Sequence, residues 1–304
     1  MNETKEDLAR CLEGTRFSGE EMVTLPVLDT GELAFGVAVD PEDIEGAWRE
    51  ARACLERTGR WPVVIELWSS PPNASLFARL TSSQPFSRFG FEQSGTQKER
   101  LPRAIIERSK RLNLDRFLDK LERASQEDFN GEEEWESARA TTAYFFGESP
   151  ADEERPRLIA DSRFEIDRNF LDWELARGKR VTDSSMEAVW YEPNDPVLLF
   201  LPTSVGAEAL AYVGWWGSTY HDAAYDVALA RRWEREFGAE LVSHYGTMLQ
   251  FLVERPPDSI ETAWKLGREH CLVAPCSLLL PGIGLRHYSR GLVDSDRWFL
   301  HERP

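Results

Sequence analysis

Residues 222–254 read DAAYDVALARRWEREFGAELVSHYGTMLQFLVE, and this run decides the fold class. Asp222 is placed to cap a helix, because a short acceptor side chain just ahead of the first turn satisfies its orphan backbone N–H groups. Tyr225, Leu229, Trp233 and Phe237 recur every fourth residue, which puts them on one helical face. Gly238 follows where a helix ends in left-handed backbone. The period then changes at once. Glu240–Tyr245 and Met248–Glu254 are strand-like and meet at His244-Tyr245-Gly246-Thr247, which predicts a hairpin. A helix followed directly by a hairpin points to a mixed α+β fold.

Reading outward in the C-terminal direction, Pro256-Pro257 break the strand. Asp258 with Glu261 three residues on resembles a capping box. Ile260, Trp264, Gly267 and Cys271 then line a further helix. Upstream, Val197–Leu201 has the continuous apolar character of a buried strand. Ser204–Tyr212 reads as a short helix, and residues 214–221 as a loop dense in aromatic rings. The Glu192-Pro193-Asn194-Asp195-Pro196 cluster ahead of that strand is a candidate boundary.

The N-terminal part repeats the combination. Met22–Leu28 and Leu33–Val39 flank Asp29-Thr30-Gly31-Glu32 as a second hairpin. Asp40 and Pro41 start a helix carrying Ile44, Trp48, Ala51 and Leu55 on one face, and Gly59 ends it. Trp61–Trp68 is another buried strand. Residues 1–20 read as a short helix or a loose arm. Ser82–Gly95 reads as an ordered loop, Leu101–Gln126 as one basic helix, Leu158–Gly178 as a helix, and Ala188–Tyr191 as a short strand. The expected architecture is α+β, with two small sheets each flanked by helices. The expected division is 1–20, an N-terminal arm; 21–95, an N-terminal α+β unit; 96–195, a helical middle segment and connector; and 196–304, a C-terminal α+β domain.

Among 304 residues there are 36 Lys+Arg and 53 Asp+Glu, a formal net charge of −17. Phosphate backbones are bound by basic stripes, so nucleic acid is not an expected partner. No stretch approaches the ~18 uncharged apolar residues of a membrane span. The charge is uneven. A basic segment at 98–123 adjoins acidic blocks at 127–136 and 152–154. Opposite blocks this close are usually solvated faces or mutual partners, the alternative being that the basic helix docks an acidic partner. Met1–Asp7 has no basic, then apolar, pattern of an export signal, so the expected location is cytoplasmic, with reduced thiols.

A family resemblance covers the C-terminal part. It is carried by Leu201-Pro202-Thr203-Ser204, by Ala211-Tyr212-Val213-Gly214-Trp215, and by residues 232–242 (RWEREFGAELV). It continues through Leu249, Val253, Pro256-Pro257, Ala263 and Glu269-His270, and more weakly at Thr58–Val64. This stretch resembles the bacterial family called domain of unknown function 4253. The resemblance implies a fold and no activity. Members typically run from the His region into a Cys-Pro-Asp segment. Here residues 271–276 read CLVAPC, without the Asp.

Searching for chemistry leaves two constellations. One is the aromatic loop with Trp215, Trp216, Tyr220 and His221, whose polar-tipped rings can stack on a planar ligand, anchor an interface or fill the core. The other is His270 with Cys276. His270 and Cys271 are helix neighbours pointing about 100° apart, so Cys276, beyond the helix, is the better thiol for that imidazole. The bland alternative is a His at a helix C-terminus interacting with the last carbonyls. Cys271 and Cys276 have neither Cys-x2-Cys spacing nor a second ligand pair, so no metal is expected. No phosphate loop, nucleophile elbow or paired-His motif is present, and no cofactor is expected. The function these features favour is a non-catalytic intracellular binding protein, of the kind an immunity protein represents, neutralising a basic protein partner. The alternative is an enzyme or small-ligand sensor using residues 214–221 with His270 and Cys276. Oligomeric state is not legible.

Overall fold

The computed structural model describes residues 4–27, 30–67, 97–127, 129–179, 190–215, 220, 222–279 and 283–303. The expected Ser82–Gly95 loop lies outside them, as do Trp216, His221 and half of the expected strand at 188–191, whose described residues, Trp190 and Tyr191, are not in a strand. The chain forms two units, each assembled from separated segments. The first comprises 1–112, 190–254 and 303–304; the second comprises 113–189 and 255–302. These units do not follow the order of the sequence; one junction between them falls at 189/190, just ahead of the Glu192–Pro196 cluster, which leads into a strand of the first unit.

The first unit is built on strands β1 (Met22–Pro26), β2 (Leu33–Ala38), β3 (Trp61–Glu66), β4 (Pro196–Leu201), β5 (Ala239–His244) and β6 (Met248–Val253). They hydrogen-bond in the order β1-β2-β4-β3-β5-β6. β4 lies antiparallel between β2 and β3, with Phe200 opposite Phe35 and Leu199 opposite Val63. β3 and β5 pair in parallel, with Val64 opposite Ser243. The mixed α+β class stands, but the two expected small sheets are one. The physical reason is β4: its six residues are all buried, so it needs a strand on each side, and the N-terminal hairpin and β3 provide them.

Indole rings fill the space between this sheet and its helices. Trp48, on the Ile44–Ala53 helix, donates its ring N–H to the Pro62 carbonyl at 2.9 Å. Trp61 donates to the Leu241 carbonyl at 3.1 Å, and Trp233 meets Phe251 edge-on at 5.8 Å. A Cβ on Gly206 would sit 2.6 Å from the Trp61 ring, so only glycine fits there. Of the two readings of residues 1–20, the structure shows a helix, Lys5–Cys11, and buries Leu8, Leu12 and Phe17. The Ala223–Phe237 helix runs as expected, from the Asp222 cap to Gly238 at φ 64°.

The second unit contains helices Leu114–Ser125, Gly131–Phe146, Arg163–Ala176, Ile260–Val273 and Leu285–Leu292, and strand β7 (Arg297–His301). Trp135, Ile166 and Phe170 are its core, with Trp135 and Phe170 in ring contact at 5.2 Å. Two expectations are corrected, for the basic helix and for the Asp258 cap, and one helix is new. The basic helix is two helices, because Asn113 caps the second by accepting the Arg116 N–H at 2.9 Å. The acidic block at 127–136 opens a 16-residue helix, Gly131–Phe146, with Glu132, Glu133 and Glu134 in its first turn, where the helix dipole favours negative charge. The cap of the Ile260–Val273 helix is Ser259, not Asp258.

Candidate functional site

The loop constellation belongs to the first unit. Trp215 is buried and donates its ring N–H to the Thr247 carbonyl at 3.0 Å, so it serves the core. Tyr220 donates its hydroxyl to Asp226 at 2.6 Å. Asp226 lies in the first turn of the Ala223–Phe237 helix and is 3% exposed. Burial, reinforced by the neighbouring Asp222 carboxylate, outweighs the Tyr220 bond and raises its pKa to about 8. Asp226 is therefore a largely neutral acid at pH 7, and burial likewise raises the Tyr220 phenol well above its usual range.

His270 and Cys276 belong to the second unit. His270 is fully buried, with Nδ1 2.9 Å from the Tyr288 hydroxyl and its ring edge-on to Trp298 at 5.1 Å. Burial lowers its pKa to about 3, so it is neutral at physiological pH and badly matched to proton transfer there. The Cys276 backbone N–H donates to Glu302 at 2.8 Å. A carboxylate thus reaches the CLVAPC segment from Glu302. Burial pushes the Cys271 thiol up to about 12, which leaves it un-ionised. Each described member of the two expected constellations thus has a partner within its own unit and outside the expected set.

The second unit holds a polar centre that the sequence did not announce. Glu174 is completely buried and accepts from the Thr142 hydroxyl at 2.9 Å, from Arg286 Nε at 2.9 Å and from an Arg290 nitrogen at 3.0 Å. Arg286 also donates to the Asp167 carboxylate, to the Ala138 carbonyl at 2.8 Å and to Thr142 at 3.0 Å. Desolvation opposes its charge, but Asp167 and Glu174 outweigh that and raise its pKa. His287, buried against the Phe145 ring at 4.3 Å, is held neutral with a pKa of about 2 by desolvation and the two neighbouring arginines.

Beside this centre lies a cavity of about 390 Å³. Its lining includes the polar residues Glu134, Ser137, Thr141, Arg163, Asp167, Cys271 and Arg286 and the apolar residues Phe164, Leu278, Ile283 and Leu285. Arg163 touches Glu134 through one contact of 3.2 Å, with the two side chains 42% and 32% exposed. Asp167 accepts from the Arg286 backbone N–H at 2.9 Å as well as from its guanidinium. Among the described residues, no group of three or more His, Cys, Asp or Glu is arranged to hold a metal ion. No helix among them is long and apolar enough to cross a membrane.

The acidic blocks find their cations within the second unit rather than on the 98–123 segment. Arg139 pairs with Asp152 at 2.8 Å and Arg177 with Glu154 at 2.7 Å. Arg155 pairs with Glu132 and Arg163 with Glu134.

No curated protein and no solved structure matches the chain. One family model does. The match begins in β4 and ends in β7, so it takes in segments of both units: residues 197–301 match the model of a domain of unknown function (DUF4253).

Proposed function

We propose that this is a non-catalytic cytoplasmic binding protein that neutralises a basic protein partner, as immunity proteins do. The observation that carries this reading is how its cations are used. In the second unit Arg139, Arg155, Arg163, Arg177, Arg286 and Arg290 are engaged in internal ion pairs. In the first, Arg16, Arg49, Arg52, Arg108 and Arg231 are similarly engaged. Meanwhile Glu20, Glu21, Glu42 and Glu56 of the first unit, and Glu127, Glu136, Glu153, Asp161 and Glu165 of the second, stand exposed. These described carboxylates, on a chain of net charge −17, present negative charge to solvent. Such a surface accelerates encounter with a basic protein and repels polyanions.

The test is affinity capture from the native host at low ionic strength. Wild type is compared with a variant carrying Glu127→Gln, Glu136→Gln, Glu153→Gln and Glu165→Gln. The expected result is a stoichiometric basic protein retained by wild type, released by salt, and held more weakly by the variant. Recovery of no stoichiometric basic protein rejects the proposal.

A further inference from the structure

The cavity of the second unit carries charges of both signs against an apolar wall. Arg286 is fully committed: its guanidinium serves Glu174, Asp167, Thr142 and the Ala138 carbonyl. It therefore shapes the site and does not bind. Three groups remain available. Arg163 meets Glu134 through a single 3.2 Å contact, leaving most of a five-donor fork and one carboxylate oxygen unused. Asp167 has one hydrogen bond recorded to each oxygen, from Arg286 in both cases, while a carboxylate offers about four lone-pair sites.

These groups select a ligand class by elimination. A bare anion drawn to Arg163 meets Glu134 and Asp167. A bare cation drawn to those carboxylates meets Arg163. A molecule with an ammonium and a carboxylate on one carbon satisfies all three, and the planar guanidinium fork matches a carboxylate bidentately. Beyond them stand Phe164, which is 6% exposed and has the Arg268 guanidinium 5.5 Å from its ring centre, and Leu278 and Leu285. That wall suits an apolar side chain. The volume of about 390 Å³ is within the usual range for small-molecule sites.

We propose that this cavity binds a free α-amino acid with a large apolar side chain, its carboxylate on Arg163, its ammonium between Glu134 and Asp167, and its side chain against Phe164, Leu278 and Leu285. This site is independent of any protein partner of the acidic surface.

The experiment is isothermal titration calorimetry on the full chain with L-leucine, L-methionine and L-phenylalanine. The controls are 4-methylpentanoate and 3-methylbutylamine, which are leucine stripped of one charge each. At least one amino acid should bind saturably at millimolar concentration or below. For L-leucine, each stripped analogue should bind at least about tenfold more weakly, since it leaves polar groups of the site unpaired. Arg163→Gln should weaken the amino acid by a similar factor and leave the amine's affinity equal or stronger, since it removes a like charge. Glu134→Gln should do the reverse with the carboxylate. Both side chains are part-exposed, so the variants are expected to unfold at the wild-type temperature, and a thermal scan checks this. Absence of saturable binding by all three amino acids overturns the proposal. So do stripped analogues that bind as tightly as leucine, or folded variants that bind like wild type.

Discussion

Replacing Glu174 by Gln tests whether the second unit depends on its buried charges. The carboxylate is at 0% exposure and neutralises Arg286, at 2%, together with Arg290, at 12%. Gln keeps the shape but removes the charge, and it places an amide donor where at least one guanidinium donor already points. Arg286 is left with Asp167 as its carboxylate partner in a desolvated site. Breaking a buried pair by removing one partner costs about 3–5 kcal/mol, because the surviving ion is uncompensated. The contrasting control is Arg139→Gln. Its partner Asp152 is 80% exposed, and such surface pairs contribute about 0–1 kcal/mol. At roughly 2–4 °C per kcal/mol for chains of this size class, Glu174→Gln should lower the melting temperature by roughly 6–20 °C. Calorimetry of the full chain measures the shift. Hydrogen exchange should place the loss in the Arg163–Ala176 and Leu285–Leu292 helices. If Glu174→Gln melts no lower than Arg139→Gln, the network is not a determinant of stability and the reasoning fails.

Three other outcomes follow from the same geometry. Asp226 titrates near 8 when folded, above its unfolded value near 3.8. Its contribution is thus fully present below about pH 4 and lost as pH rises through 8. Asp226→Asn should gain on the order of 2–4 kcal/mol over wild type between pH 5 and pH 8 in urea titrations; equal pH dependence in the two proteins would refute this. His270 and His287 have folded values of about 3 and about 2, below the unfolded value near 6.5. The second unit should therefore be most stable above pH 6.5 and lose up to about 1.4 kcal/mol per pH unit per histidine as pH falls below it. Exchange rates of its helices at pH 7.5 and 5.5 report this, and unchanged opening free energies would contradict it. Gly206→Ala drives a methyl to 2.6 Å from the rigid Trp61 ring; a loss of about 1–3 kcal/mol from overpacking is expected, read from urea midpoints, and a neutral result would mean the ring yields freely.

What could be read from the sequence was whatever obeys a local period. The Ala223–Phe237 helix, its Asp222 cap and the β5–β6 hairpin were legible because the faces they bury are mostly apolar and the ends carry side chains with one local task. The position of β4 was not, since its neighbours β2 and β3 lie far upstream and no local pattern encodes a partner. The Leu285–Leu292 helix escaped for a different reason. Gly284 gives it no side-chain cap, and its inward face carries Arg286 and His287, so the usual relation between burial and polarity is inverted. The Gly131–Phe146 helix was hidden likewise, behind glutamates that read as a charge run but occupy a helix start.

The same inversion bears on the histidines and cysteines that the sequence singles out. Histidine and cysteine draw attention because their free forms titrate near neutrality, yet in the second unit burial has removed that property from His270, His287 and Cys271 alike. The charged groups that do converge are ordinary surface types: Glu134, Arg163 and Asp167 lie on two helices of the 113–189 segment, and Arg286 comes from the 255–302 segment. This bears on how the family match should be understood. Arg286 and Arg290 fall within residues 197–301, whereas Asp167, Glu174 and Thr142 precede them. The matched region therefore contains the cations of a buried network but not the groups that neutralise them. A buried guanidinium without its carboxylate is strongly destabilising. Residues 255–302 and the preceding helical segment are on this ground one folding unit, although only the former lies within the matched region.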